Sequence, residues 1–266
     1  MNQFVGIKAN FSRRYQSLLE EHRPLKNFLL EVFFGGTAYV VGGFLRDTLL
    51  DKKSRDIDII VESDHDKLIS ILKNSQLHFD VNRHNGIKIR LNDFNADIWS
   101  LQNNWAFKKN LVKLNESDKL NSIAKGCFYN YDSLVINLHN YNYNIRYFSE
   151  FCNNNSLDIL QKTAAYKNLN PTPEANILRA IYIRQKYNIE YSGNTINYLE
   201  EAIRRLEYYY SNPLERLIKV RNDYAKYCIL SDDLLAQEVE LIHSLFIKLK
   251  KQYYISSFTD YSVPMS

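Results

Sequence analysis

The sequence predicts an α+β protein, a sheet-bearing N-terminal part followed by an all-helical one. Three observations carry this. Residues 39–62 read as strand, glycine turn, short helix, basic loop and second strand. Residues 86–101 hold two apolar runs across a polar turn. From about Leu157 the apolar positions recur at helical spacing to the C-terminal region. The expected division is a head over residues 1–150, a helical neck and body over 151–252, and a mobile tail over 253–266.

Taken in order, Phe11 to Phe34 predicts one or two helices broken near Pro24. Tyr39 to Val41 is an aromatic and β-branched run ending at Gly42-Gly43, a pair suited to close backbone approach. Phe44, Leu45, Leu49 and Leu50 give a short helix its apolar face, with Arg46 and Asp47 on the polar side. Asp56-Ile57-Asp58 opens the strand Ile59-Ile60-Val61. Asp64 to Asn74 predicts a helix with Leu68, Ile69, Ile71 and Leu72 inward and Ser63 or Asp64 as its cap. Ile87, Ile89 and Leu91 alternate with Lys88 and Arg90, a half-buried strand. Asn92 to Asn95 turns the chain, and Ala96 to Leu101 returns as a strand. Trp105 to Leu114, with Lys108, Lys109 and Lys113, reads as a solvated basic face. Later helices are expected around residues 177–189, 196–210, 213–230 and 233–252.

Composition bounds the function less than the motifs do. A net charge of +4 and a pI of about 8.7 admit nucleic acid as a partner without demanding it. Cys127, Cys152 and Cys228 are far apart and odd in number, so reduced, mostly buried thiols are expected rather than a metal site. Met1-Asn2-Gln3-Phe4 lacks the charged-then-apolar order of a secretory signal, and no apolar run approaches a membrane span. A cytoplasmic location is the expectation.

The chemistry concentrates at residues 42–58. Alternate residues of a strand share a face, so Asp56 and Asp58 project two carboxylates side by side. Anions so close repel, and a hard cation between them relieves that; all-oxygen ligands suit Mg²⁺, with Mn²⁺ as a substitute. A further acid on a neighbouring strand would complete such a cation site. Asp97 on the returning strand supplies it, while Asp93, its competitor, is placed to cap its own turn. The glycine turn offers backbone N–H groups to a phosphate tail. Asp47 is expected to brace Arg46 or the turn.

Val41 to Leu50, Val-Gly-Gly-Phe-Leu-Arg-Asp-Thr-Leu-Leu, with Arg55 to Val61, Arg-Asp-Ile-Asp-Ile-Ile-Val, resembles the head of class II CCA-adding enzymes and bacterial poly(A) polymerases. These are template-independent polymerase β-like nucleotidyltransferases. The resemblance implies a small mixed sheet flanked by helices, two metal ions on Asp56, Asp58 and Asp97, and phosphates positioned by Gly42, Gly43 and Arg46. Cys127 to Leu138 is loosely similar to the family's Arg-Asp-Phe-Thr-Ile-Asn-Ala-Leu segment, with Asp132 in place of an Asn and able to reach a ribose. Ile177 to Ile189 resembles the neck helix, and Arg179 matches a family arginine. Where the family carries Glu-Asp-x-x-Arg to read the base, this chain has Thr172, Pro173 and Asn176. Asn176 can pair with an adenine edge, which gives adenine a weak preference.

These residues imply a nucleoside triphosphate substrate and a nucleic acid acceptor or product. One alternative is tRNA CCA or A addition, weakened by the altered base-reading positions and the short stretch after the neck. Another is an inactive relative that binds nucleotide or RNA. In size and ending the chain is also similar to nucleotidyltransferases of Hailong-type antiphage defence. That likeness implies a homopolymer started on the chain's own tyrosine, here Tyr261, and a membrane effector acting on the product.

Overall fold

A computed structural model describes residues 6–161 and 172–259. The chain forms two compact units, Met1–Glu150 and Phe151–Ser266. In the first, α1 (Ile7–Glu21) and α2 (Arg23–Phe33) are two helices, and Pro24 sits in the first turn of α2, where its missing N–H costs no hydrogen bond. Phe11, Tyr15, Leu18 and Leu19 of α1 are buried at helical spacing, as are Leu25, Phe28, Leu29 and Val32 of α2. There follow β1 (Ala38–Val41), α3 (Gly43–Leu49), β2 (Asp56–Val61) and α4 (His65–Lys73). Asp64 holds the N-cap place of α4, yet neither it nor Ser63 forms a side-chain cap bond there.

The chain continues through β3 (Phe79–Val81), β4 (Ile87–Arg90) and β5 (Asn95–Ser100). Next come α5 (Trp105–Lys108), α6 (Lys119–Lys125), β6 (Val135–Asn137), β7 (Tyr143–Asn144) and α7 (Arg146–Asn154). Lys108, Lys109 and Lys113 are all exposed, as a solvated face requires.

The seven strands make one mixed sheet in the order β3-β4-β5-β2-β1-β6-β7. Only β2 and β5 run parallel; the other pairs are antiparallel. The sheet is wider than the four strands legible in the sequence. Ile57, Ile59, Ala96 and Ile98 are 0% exposed on one face. On the other face Tyr39, Ile60, Leu101, Ile123 and Val135 form a second core. Beyond Ile60 that second face carries Asp58 and Asp56.

The second unit holds β8 (Ser156–Leu157), α8 (Pro173–Tyr187), β9 (Glu190–Tyr191), α9 (Gly193–Tyr210), α10 (Pro213–Asn222) and α11 (Asp232–Thr259). Thr172, Ser192 and Asn212 cap α8, α9 and α10 with side-chain oxygens. Three expectations are corrected here. The unit is not wholly helical, because β8 and β9 pair in parallel. The helix expected to reach residue 230 ends at Asn222, with Asp223 as its cap and a tight 3₁₀ turn at Ala225–Tyr227. The last helix runs through Thr259 rather than stopping at residue 252, so part of the expected tail is helical. The free thiols are also less buried than expected: Cys127 and Cys152 are intermediate and Cys228 is exposed.

Candidate active site

On β2, Asp56 and Asp58 alternate with Ile57 and Ile59, so burial of the isoleucines turns both carboxylates to the opposite face. The same holds on β5, where Ala96 and Ile98 are buried and Asp97 is half-exposed. The parallel register places Asp58 beside Asp97 and Asp56 beside Asn95. Asp93 lies in the exposed turn instead, with its carboxylate 3.5 Å from Lys53 Nζ. Asp58 and Asp97 line a cleft of about 360 Å³ with Asp80, Lys88, Arg90 and Trp99.

Burial pushes the Asp97 carboxyl above its ordinary range; Lys88 pulls it down and Asp56 pushes it up again. Among the described residues no three His, Cys, Asp or Glu side chains close around one point. The donor set nevertheless suits a hard cation, because Mg²⁺ is held by one or two carboxylates together with substrate phosphates and rarely by an all-protein cage. Asp97, desolvated and pressed by Asp56, is the kind of anion that a cation relieves.

Val41 pairs with Asp58, so the glycines after Val41 lie at the acidic end of the sheet. Gly42 has φ 73° and ψ −118°, a left-handed conformation that side chains resist. Its N–H donates to Leu134 O at 2.8 Å, and a Cβ there would meet Asp132 O at 3.5 Å. The expectation that the turn offers N–H groups to phosphate is thus narrowed, since the Gly42 donor serves the fold. Gly43 opens α3.

Arg46, one turn on, is held by two acids. Its Nη1 lies 3.4 Å from Asp132 Oδ1 and its Nε 3.6 Å from Asp47 Oδ1, while its guanidinium sits 4.1 Å over the Tyr131 ring. Asp47 also accepts from Ser54 Oγ at 3.1 Å, so it braces both Arg46 and the turn. Asp132, expected near a ribose, orients Arg46 in this structure.

Two expected base-side residues belong to the helical unit. Asn176 is 1% exposed and donates to the Tyr198 hydroxyl at 3.3 Å, so it is an interior side chain and not one presented to an adenine edge. Residues 174–178 of α8 are buried in an unbroken run, so every side of the helix is covered there, which explains this. Arg179 is half-buried on the same helix. Tyr261 lies outside the described residues. Sequence reasoning passed over Lys88, Asp80 and Trp99 as cleft residues. Counting the hairpin register back from the turn, Arg90 to Asn95 and then Lys88 to Asp97, is the signal that finds Lys88.

A mixed sheet with flanking helices, carboxylates on its open face and a glycine turn beside them, followed by a mainly helical unit, is the architecture that the resemblance implies. Within it, residues 38–124 match the family model of the poly A polymerase head domain, in agreement with the resemblance at residues 41–61. The structure resembles a CCA-adding enzyme with CTP (TM-score 0.57, 18% identity, 86% of this chain and 54% of that one). It also resembles a tRNA nucleotidyltransferase complexed with a primer tRNA and an incoming ATP analog (TM-score 0.55, 18% identity, 88% and 68%). A tRNA-processing enzyme in an apo form is similar over 93% of this chain and 64% of that one (TM-score 0.55, 18% identity). At these identities the likeness is one of fold, and the chain spans about half to two thirds of most of these structures' length. No curated protein matches the sequence. No helix among the described residues is long and apolar enough to cross a membrane.

Proposed function

We propose that the chain is a template-independent nucleotidyltransferase, joining the α-phosphate of a nucleoside triphosphate to a hydroxyl acceptor with release of pyrophosphate. The observation that carries the reading is Asp58 beside Asp97 on an open sheet face, next to a glycine turn, inside the head-domain match. Asp56, Asp58 and Asp97 would hold Mg²⁺, which supplies charge neutralisation on the triphosphate and acidifies the attacking hydroxyl. Arg46, held between Asp47 and Asp132, would offer its remaining donors to the phosphates. Gly42 keeps the backbone low enough for a triphosphate to approach. The test is incorporation of label from each NTP and dNTP with Mg²⁺, wild type against Asp56→Ala/Asp58→Ala. Equal signal from both would end the proposal.

The acceptor separates two finer readings. Fold likeness to tRNA nucleotidyltransferases favours a tRNA 3′ end, checked by completion of deacylated tRNA lacking its terminal nucleotides. The other is a self-primed oligonucleotide synthase working with a membrane effector in antiphage defence, with the phenol of Tyr261 as acceptor. A phenol, with a pKa of about 10, loses its proton more easily than a ribose hydroxyl. Intact mass spectrometry after incubation with dATP or ATP and Mg²⁺ decides it: a ladder absent in Tyr261→Phe supports self-priming. The preference for adenine loses its footing with the burial of Asn176, and the NTP and dNTP panel replaces it.

A further inference from the structure

Four charged side chains cross the open sheet face in register. Asp80 pairs with Lys88, Lys88 with Asp97, and Asp97 with Asp58, and all four line the same cleft. At the outer end, Asp80 is taken up by Arg90 at 2.9 Å, both well exposed. Lys88 is half-buried at the register position between Asp80 and Asp97, and its charge acts on Asp97. The strand that carries it is firmly placed. Ile87 and Ile89 on either side are 1% and 0% exposed. In the turn before it, Asn82 Oδ1 accepts from the N–H groups of His84 and Gly86 at 2.8 and 3.1 Å. The Trp99 ring lies so close on Gly86 that a Cβ there would come within 2.3 Å of it.

We propose that Lys88 is a built-in counter-cation of the carboxylate cluster that weakens binding of a free divalent ion and favours the ion arriving with a triphosphate. The sign follows from charge. A free divalent cation meets the ammonium as a like charge, whereas a metal–triphosphate complex is a net anion and is attracted to it. The carboxylates are thus kept from holding metal unproductively, and metal and nucleotide bind as one event. The inference rests on the reading of Asp58 and Asp97 as metal ligands.

The experiment measures Mn²⁺ binding to the metal-free, nucleotide-free full chain by electron paramagnetic resonance of the unbound ion. It compares wild type, Lys88→Met, Lys88→Gln, Lys88→Arg, Arg90→Met and Asp97→Asn, each first checked in chelator for a cooperative melt no lower than that of wild type. Lys88→Met and Lys88→Gln are expected to bind Mn²⁺ about three- to tenfold more tightly. Lys88→Arg, which keeps the charge, and Arg90→Met, whose charge belongs to Asp80, are expected to bind as wild type does. With a non-hydrolysable ATP analogue and Mn²⁺, Lys88→Met is expected to bind the complex more weakly than wild type. If Asp97→Asn binds Mn²⁺ as tightly as wild type, the metal-ligand reading itself fails. If Asp97→Asn weakens binding while neither neutral Lys88 variant tightens it, that reading stands and the counter-cation is overturned. Equal tightening by Arg90→Met also overturns it, because the effect is then one of general surface charge.

Discussion

The interior of the helical unit and the open face of the sheet treat acid in different ways. In the helical unit each buried glutamate is matched. Glu174 receives Arg216 Nε at 2.7 Å; Glu200 receives Arg204 at 2.7 Å and lies 3.0 Å from His243 Nδ1. Glu238 takes Arg184, Gln185 at 2.6 Å and the Tyr191 hydroxyl at 3.0 Å. On the sheet face, Asp56, Asp58 and Asp97 stand together, with Lys88 as the cation beside Asp97. Matched buried charge belongs to folding: removing one partner strands the other. Juxtaposed acids work against folding, and that is the expected signature of a site whose counter-charge arrives with a substrate. Under the proposed function, the first set serves architecture and the second chemistry.

The most forceful way to break this comparison is to remove an acid from each set. Asp58→Ala is expected to cut nucleotide incorporation by about a thousandfold or more, the scale of losing a metal-ion clamp. Its melting temperature in chelator should stay close to that of wild type, since the buried Ile57 and Ile59 still anchor the strand. A variant that loses activity by unfolding would place Asp58 among the structural acids. Glu238→Ala is expected to do the reverse to stability, costing about 3 kcal/mol because Arg184 and Tyr191 lose their shared acceptor inside the unit. Urea denaturation reads this directly.

Titration sharpens the contrast with a smaller effect of opposite sign. Burial pushes Glu174 up, but its own backbone N–H, Arg216 and Thr172 pull it down further, leaving it below the usual carboxylate range. A depressed carboxyl stabilises the fold above its unfolded pKa, and that contribution disappears as pH falls through the folded one. Asp97 is raised, mainly by burial, so it favours the fold only when protonated, and this favour is lost as pH rises through its folded pKa. Urea midpoints from about pH 3 to pH 7 in chelator are the measurement. Glu174→Gln should be less stable than wild type at neutral pH and converge with it in acid. Asp97→Asn should be more stable at neutral pH and also converge in acid. Curves of the same sign for the two variants would erase the distinction.

The legible parts of the site were those encoded within a few residues. Two aspartates alternating with isoleucines, and a glycine pair between a β-branched run and a short apolar helix, state their geometry locally. The order Ile87-Lys88-Ile89-Arg90 likewise shows one wet face. Relations between distant segments were not legible. Arg46 and Asp132 are 86 residues apart, and only the fold brings the loop after α6 against the glycine turn. Phe79–Val81 and Val135–Asn137 are three-residue strands whose extended form comes from the neighbours they pair with, so no internal periodicity marks them. Asn176 misled because its polarity suggested a ligand contact, whereas α8 is buried nearly all round and Tyr198 supplies a partner inside.

The weakest expected effect tests whether charge on the cleft rim matters to the fold at all. Arg90 and Asp80 form a 2.9 Å pair across β3 and β4, but their side chains are 67% and 62% exposed. Water screens such a pair, and holding two long side chains in one geometry costs entropy that offsets most of the attraction. Arg90→Met should therefore change the urea-derived stability by less than about 0.5 kcal/mol. The register of β3 on β4 is set instead by backbone pairing from Phe79–Ile89 to Val81–Ile87 and by the buried Ile87 and Ile89. A loss above about 1 kcal/mol would mean that the outer hairpin depends on its ion pair. The rim would then resemble the helical unit in matching its charges for stability, and the boundary between the two treatments of acid would move inward to Lys88.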